Sequence, residues 1–119
     1  MTDRIAVRGI EVFAYHGVLE SEKEHGQLFS VDVEMELDLS TAAGSDHLGD
    51  TVDYGALTEQ VAETVSGERW NLIERVAERV AGVVMADERV RAATVTIHKP
   101  QAPIEIPFRD VAVTVHRTR

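Results

Sequence analysis

In the segment FSVDVEMELDL, apolar Phe29, Val31, Val33, Met35, Leu37 and Leu39 alternate with Ser30, Asp32, Glu34, Glu36 and Asp38. Successive side chains on a strand point to opposite faces, so this run predicts a long strand with one buried face and one acidic, wet face. Upstream, RIAVRGIEVFAY alternates at Ile5 and Val7, then changes phase to Ile10 and Val12 across Arg8 and Gly9. A strand that keeps one buried face through such a shift needs a bulge, and glycine is the residue that tolerates one.

From Tyr54 the period lengthens. Leu57, Val61 and Val65 recur every four residues beside Ala62, and Gly67 closes the run, which predicts a first helix. From Leu72 a second helix follows, with Ile73, Val76, Ala77, Val80 and Val84 on one arc and Glu74, Arg75, Glu78 and Arg79 outside it. Two more strands are predicted around Val95 and Ile97 and around Val111, Val113 and Val115. Between them KPQAPIEIP holds all three prolines and cannot be regular structure. The order is strand, strand, helix, helix, strand, strand: an α+β fold with a four-stranded antiparallel sheet and two helices on one face. Its sheet edges and uncovered face invite self-assembly.

At 119 residues the chain is expected to form one domain over 1–119. No cysteine is present, so no disulfide framework or cysteine-rich zinc site is available, in keeping with a cytoplasmic setting. A net charge of -9 argues against nucleic acid and anionic membrane as partners. The five histidines lack HxxxH or HExxH spacing, and GxGxxG and GxxxxGK are absent, so neither a metal nor a nucleotide cofactor is indicated.

Four residues carry candidate chemistry, each with a plain structural alternative. Glu74, three after Asn71, fits an Asn-x-x-Glu capping box, but a carboxylate at a helix start also offers two acceptors to a guanidine-like edge. Lys99 is either a solvated strand-end lysine or an ammonium held at a pocket rim by the prolines, placed for proton transfer. Tyr54 falls on the apolar stripe of the first helix, as a packed core tyrosine would. Glu22 lies in the charged loop ESEKEHGQ, where solvated surface is the default.

Taken together, YHGVLESEKEHGQ, DTVDYG, NLIERVAERVA and HKPQAPI resemble the dihydroneopterin aldolase family across essentially the whole chain. The resemblance implies the tunnelling fold (T-fold), in which units of this strand and helix order assemble by their sheet edges into a ring-shaped barrel. Such rings commonly pair into homo-octamers, with active sites between neighbouring subunits. It further implies that Glu74 anchors a pterin, with backbone groups around Leu72 and Ile73 assisting. Tyr54 would arrive from the adjoining subunit with Val52 and Asp53 on the same wall, Lys99 would serve as acid and base, and Glu22 would hold substrate or water. Retro-aldol cleavage of 7,8-dihydroneopterin without metal or cofactor, accompanied by epimerisation, is the implied activity. The rival readings are a dihydroneopterin triphosphate epimerase, for which the loops are short of cations, and a noncatalytic pterin-binding ring.

Overall fold

In a computed structural model, which describes residues 2–119, the strands are β1 (Asp3–Ala14), β2 (Gln27–Leu37), β3 (Ala92–His98) and β4 (Ala112–Thr118). They form one antiparallel sheet in the order β1-β2-β3-β4. The helices are α1 (Glu20–His25), α2 (Ser40–Ser45), α3 (Tyr54–Gly67) and α4 (Ile73–Met85), with a single 3-10 turn at Leu48–Asp50. The predicted order of the long elements holds. The two short helices were not foreseen, since six-residue segments are too brief to display a helical period.

The alternation along β2 is realised: Phe29, Val31, Val33, Met35 and Leu37 are buried, and Ser30, Asp32, Glu34 and Glu36 between them are only partly covered. The strand ends at Leu37, two residues earlier than the pattern suggests, because Leu39 turns into α2 and gives its N–H to Asp3. The phase change in β1 is a bulge: the register with β2 shifts between Val7 and Ile10. Gly9 sits there at φ +72°, where other residues are strained, and its N–H donates to Asp32 Oδ1 at 2.8 Å.

The stripes of α3 (Leu57, Val61, Val65) and α4 (Ile73, Val76, Ala77, Val80, Val84) are buried with the apolar face of the sheet in one core. Burying an aliphatic side chain of this size contributes about 1.5–3 kcal/mol, so the two stripes fix which sheet face the helices cover. The opposite face stays polar, carrying Thr96 bonded to Thr114 and Thr94 bonded to His116, both at 2.8 Å. Tyr54 departs from its expected place in the core. It is 60% exposed, because it is the first residue of α3, where the stripe has not yet met the sheet. Among the described residues no helix is long and apolar enough to cross a membrane.

Candidate active site

The proline segment returns the chain from β3 to β4 through a tight turn. Lys99 opens it, Pro100 supplies the fixed φ that suits the second turn position, and Ala102 N–H closes it on the Lys99 carbonyl at 3.2 Å. Lys99 N–H donates to Val111 O at 2.7 Å, which ties the returning chain to the end of β3. The Lys99 side chain is only 13% exposed, and its Nζ lies 2.6 Å from Glu22 Oε2. A solvated strand-end lysine is thereby excluded.

Glu22 is likewise not the surface acid its charged neighbours suggest. It is buried, and every hydrogen bond it makes has an identifiable purpose. Oε1 accepts the Leu19 N–H at 3.3 Å, capping α1 from its third position. Oε2 receives Lys99 and also the Gln27 amide at 2.9 Å. Burial by itself would raise the Glu22 carboxyl, but the bonds from Lys99, Gln27 and Leu19 outweigh it and hold the group below its ordinary value. Gln27 had no sequence signal beyond its place at the start of β2. Its Oε1 is buried without a partner among the described residues, leaving an acceptor beside the ion pair.

Gly17 makes room for this arrangement. A Cβ built there would lie 2.3 Å from Glu22 Cδ, and its φ of +151° is itself unfavourable for side chains. Gly17→Ala should therefore expel the Glu22 carboxylate, add about 1–3 kcal/mol of backbone strain, and lower turnover at least about tenfold. Steady-state kinetics with a thermal melt check this; unchanged turnover would mean that the Glu22 position is dispensable.

The turn before α4 is anchored to the same end of the molecule. Gly17 N–H donates to Trp70 O at 3.0 Å, and Lys23 Nζ to Asn71 Oδ1 at 2.6 Å. His16 is fully buried between Val65 O, 2.7 Å from Nε2, and Trp70 N–H, 3.0 Å from Nδ1. A carbonyl only accepts and an N–H only donates, so the ring is the neutral Nε2–H tautomer, in line with burial lowering its pKa. Glu68 takes a two-pronged bond from Arg79 and one from Trp70 Nε1, which hold its carboxyl down to about 2.

These bonds overturn the capping box expected at Glu74. Asn71 spends its side-chain oxygen on Lys23, Leu72 becomes the residue before the helix, and Ile73 starts it. Glu74, second in the helix, is exposed and has no hydrogen-bond partner among the described residues. Beside it the Ile73 and Glu74 N–H groups have no acceptor among the described residues, whereas Arg75 N–H is bonded to Leu72 O at 3.1 Å, and Leu72 lies half exposed. A free carboxylate, free N–H donors and an apolar side chain thus stand at the start of α4, which the Gly17–Trp70 and Lys23–Asn71 bonds tie to the loop that carries Glu22.

Tyr54 does not join them. Val52, Asp53, Ala56 and Leu57 line one depression with Val83, Val84, Ala86 and Asp87, so the start of α3 lies beside the end of α4. The 13 residues of α4, at about 1.5 Å rise each, span close to 20 Å, and Glu74 is at the other end. Within one chain, Tyr54 and Asp53 cannot share a small ligand with Glu74. The Asp53 side chain instead accepts the Ala56 N–H at 3.1 Å as the cap of α3, and Val52 is buried.

The family model for dihydroneopterin aldolase matches residues 5–116. A dihydroneopterin aldolase of Streptomyces coelicolor is 47% identical over 117 residues, covering 98% of each chain. The crystal structure of the E. coli dihydroneopterin aldolase in complex with neopterin superposes with a TM-score of 0.88 at 31% identity, covering 97% of this chain and 98% of that one. A dihydroneopterin aldolase of a Burkholderia species, bound to guanine, superposes with a TM-score of 0.81 at 26% identity, covering 99% and 92%. By sequence and fold alike, the chain belongs to the dihydroneopterin aldolase family.

Proposed function

We infer that the chain cleaves 7,8-dihydroneopterin by a retro-aldol reaction to 6-hydroxymethyl-7,8-dihydropterin and glycolaldehyde. The observation that carries this reading is the buried Lys99–Glu22 pair, with Glu22 on a loop hydrogen-bonded to the one that leads into the unpartnered Glu74. Neopterin and guanine, the ligands of the two related structures, share a ring edge with an amino group next to a ring N–H. Two parallel donors of that kind match the two oxygens of Glu74, and the unbonded N–H groups of Ile73 and Glu74 suit the ring carbonyl.

Anchored there, the substrate directs its side chain to the Lys99–Glu22 pair. Lys99 takes the proton from the hydroxyl on the second side-chain carbon, with Glu22 holding that hydroxyl or a bridging water. The bond between the first and second side-chain carbons then breaks. Its electrons pass into the conjugated C=N bond of the dihydropterin ring, and glycolaldehyde leaves. Tyr54 helps to deliver the proton that the first carbon needs to become the hydroxymethyl product. Because the ring accepts the electrons, neither a metal nor a lysine Schiff base is required. Re-addition through the opposite face of the glycolaldehyde carbonyl inverts the second carbon, so epimerisation shares the intermediate. The separation of Tyr54, Asp53 and Val52 from Glu74 within one chain supports a site completed between subunits of a ring, two of which pair as a homo-octamer.

Incubation with 7,8-dihydroneopterin in the presence of chelator, followed by detection of both products, tests the reading. Formation of both is expected; inversion without cleavage would make the chain an epimerase, and unchanged bound substrate would make it a passive binder.

A further inference from the structure

The residue before Lys99 belongs to a cluster that the reaction itself does not use. His98 ends β3 with its ring on the open sheet face, opposite the helices. Its Nε2 lies 2.7 Å from Asp32 Oδ2 on β2, and its Nδ1 lies 2.7 Å from Asp110 Oδ2, on the segment leading into β4. Asp32 in turn accepts the N–H of the bulge residue Gly9. One ring therefore connects all four strand regions: the β1 bulge and β2 through Asp32, its own β3, and the approach to β4 through Asp110. Asp110 directly precedes Val111, whose carbonyl accepts the Lys99 N–H. The cluster thus grips both ends of the proline turn on which Lys99 is mounted.

Both carboxylates can only accept, so both ring nitrogens must carry hydrogen for both bonds to form. A neutral ring has a single N–H and would turn a lone pair toward one of the two acids. The charged groups facing the ring are Asp32 from β2 and Asp110 from the β4 approach, and the positive charge of Arg8 on β1, itself paired with Glu34, helps to keep Asp32 ionised. We propose that His98, clamped as an imidazolium between Asp32 and Asp110, is a positioning residue for Lys99. It fixes the end of β3 and the return of the proline turn, so that the Lys99 nitrogen meets Glu22 and the substrate hydroxyl in one geometry. This rests on Lys99 being the acid/base group.

The sign of the pH response follows from the partners. Asp110 first and Asp32 second raise the His98 pKa above its ordinary 6.5. The clamp is complete below that ordinary value and loosens as pH rises through the raised one. Asp110→Asn removes one carboxylate and moves that loosening to lower pH; His98→Gln cannot titrate and removes it.

The test is kcat and KM for 7,8-dihydroneopterin from about pH 6 to about pH 9 in wild type, Asp110→Asn, His98→Gln and Lys99→Ala, with the His98 ring nitrogens followed by NMR. Asp110→Asn, on an exposed segment, keeps the test open if His98→Gln folds poorly. Expected are a kcat about tenfold lower in His98→Gln with KM little changed, an alkaline limb displaced to lower pH in Asp110→Asn, and a doubly protonated ring in wild type at neutral pH. A neutral wild-type ring, or unaltered kcat and pH dependence in both clamp variants, overturns the proposal. Turnover surviving in Lys99→Ala would instead overturn the catalytic reading beneath it, and the NMR titration would still report the clamp separately.

Discussion

Lys99→Ala should abolish turnover while leaving pterin affinity within a few fold. General acid–base catalysis by a positioned side chain contributes about a hundredfold to ten-thousandfold, and among the described residues no second lysine is bonded to Glu22 to replace this one. The variant also strands a carboxylate that is buried with Lys99 as its counter-ion. Its pKa, now depressed by that bond, should rise, and the fold should lose stability as a result. Rapid-mixing kinetics alongside equilibrium binding of neopterin separate the two effects. Affinity lost in proportion to kcat would mean that Lys99 binds the substrate and does not move its proton. The same variant examines the placement of Tyr54. Mixed assemblies of Lys99→Ala and Tyr54→Phe subunits should regain activity that neither has alone, since some interfaces then combine an intact Lys99 with an intact Tyr54. No recovery on mixing would place both groups in a site made by one chain.

Glu74→Ala should weaken pterin binding by at least about a hundredfold, with kcat at saturation largely kept. Two hydrogen bonds to an ionised carboxylate are together worth about 3–6 kcal/mol, and each 1.4 kcal/mol is tenfold in affinity. Loss of binding common to ground state and transition state raises KM and spares kcat. The thermal midpoint provides an independent reading, because Glu74 has no capping bond to lose. Only the favourable charge at a helix start disappears, about 0.3–1 kcal/mol. A large drop in the melting temperature with unchanged neopterin affinity would restore Glu74 to a structural part. Glu74→Gln sharpens the distinction: it keeps the side-chain length but replaces one acceptor by a donor, so it should bind pterin almost as poorly as Glu74→Ala.

The carboxylates show how a site can invert what its local sequence suggests. Glu74 has the spacing of a capping residue and is free; Glu22 has the surroundings of a surface acid and is the residue that caps a helix. The cause lies outside both segments. Lys23 draws away the Asn71 side chain, so α4 begins one residue later than the motif implies. Gly17, with no side chain, leaves the volume into which Glu22 folds. Its remaining lone pairs then meet Gln27, five residues along, and Lys99 from the far end of β3.

By itself the sequence determined the long elements, their order and the face each one buries, because these follow from periodicity within single segments. The alternation of β2, the glycine bulge at Gly9 and the stripes of α3 and α4 are all local patterns. Its four ordered motifs also pointed to the family and to the residues that carry the chemistry. Tertiary structure alone decided the partnerships. The 2.6 Å approach of Lys99 to Glu22 joins positions 77 residues apart, and the His98 clamp joins β2 to the start of β4. No spacing rule encodes such meetings, since they arise only when the sheet has registered and the loops have closed. The exposure of Tyr54 and its distance from Glu74 belong to the same class: the helix period places both on helices, but only the antiparallel packing of α3 on α4 sets them at opposite ends.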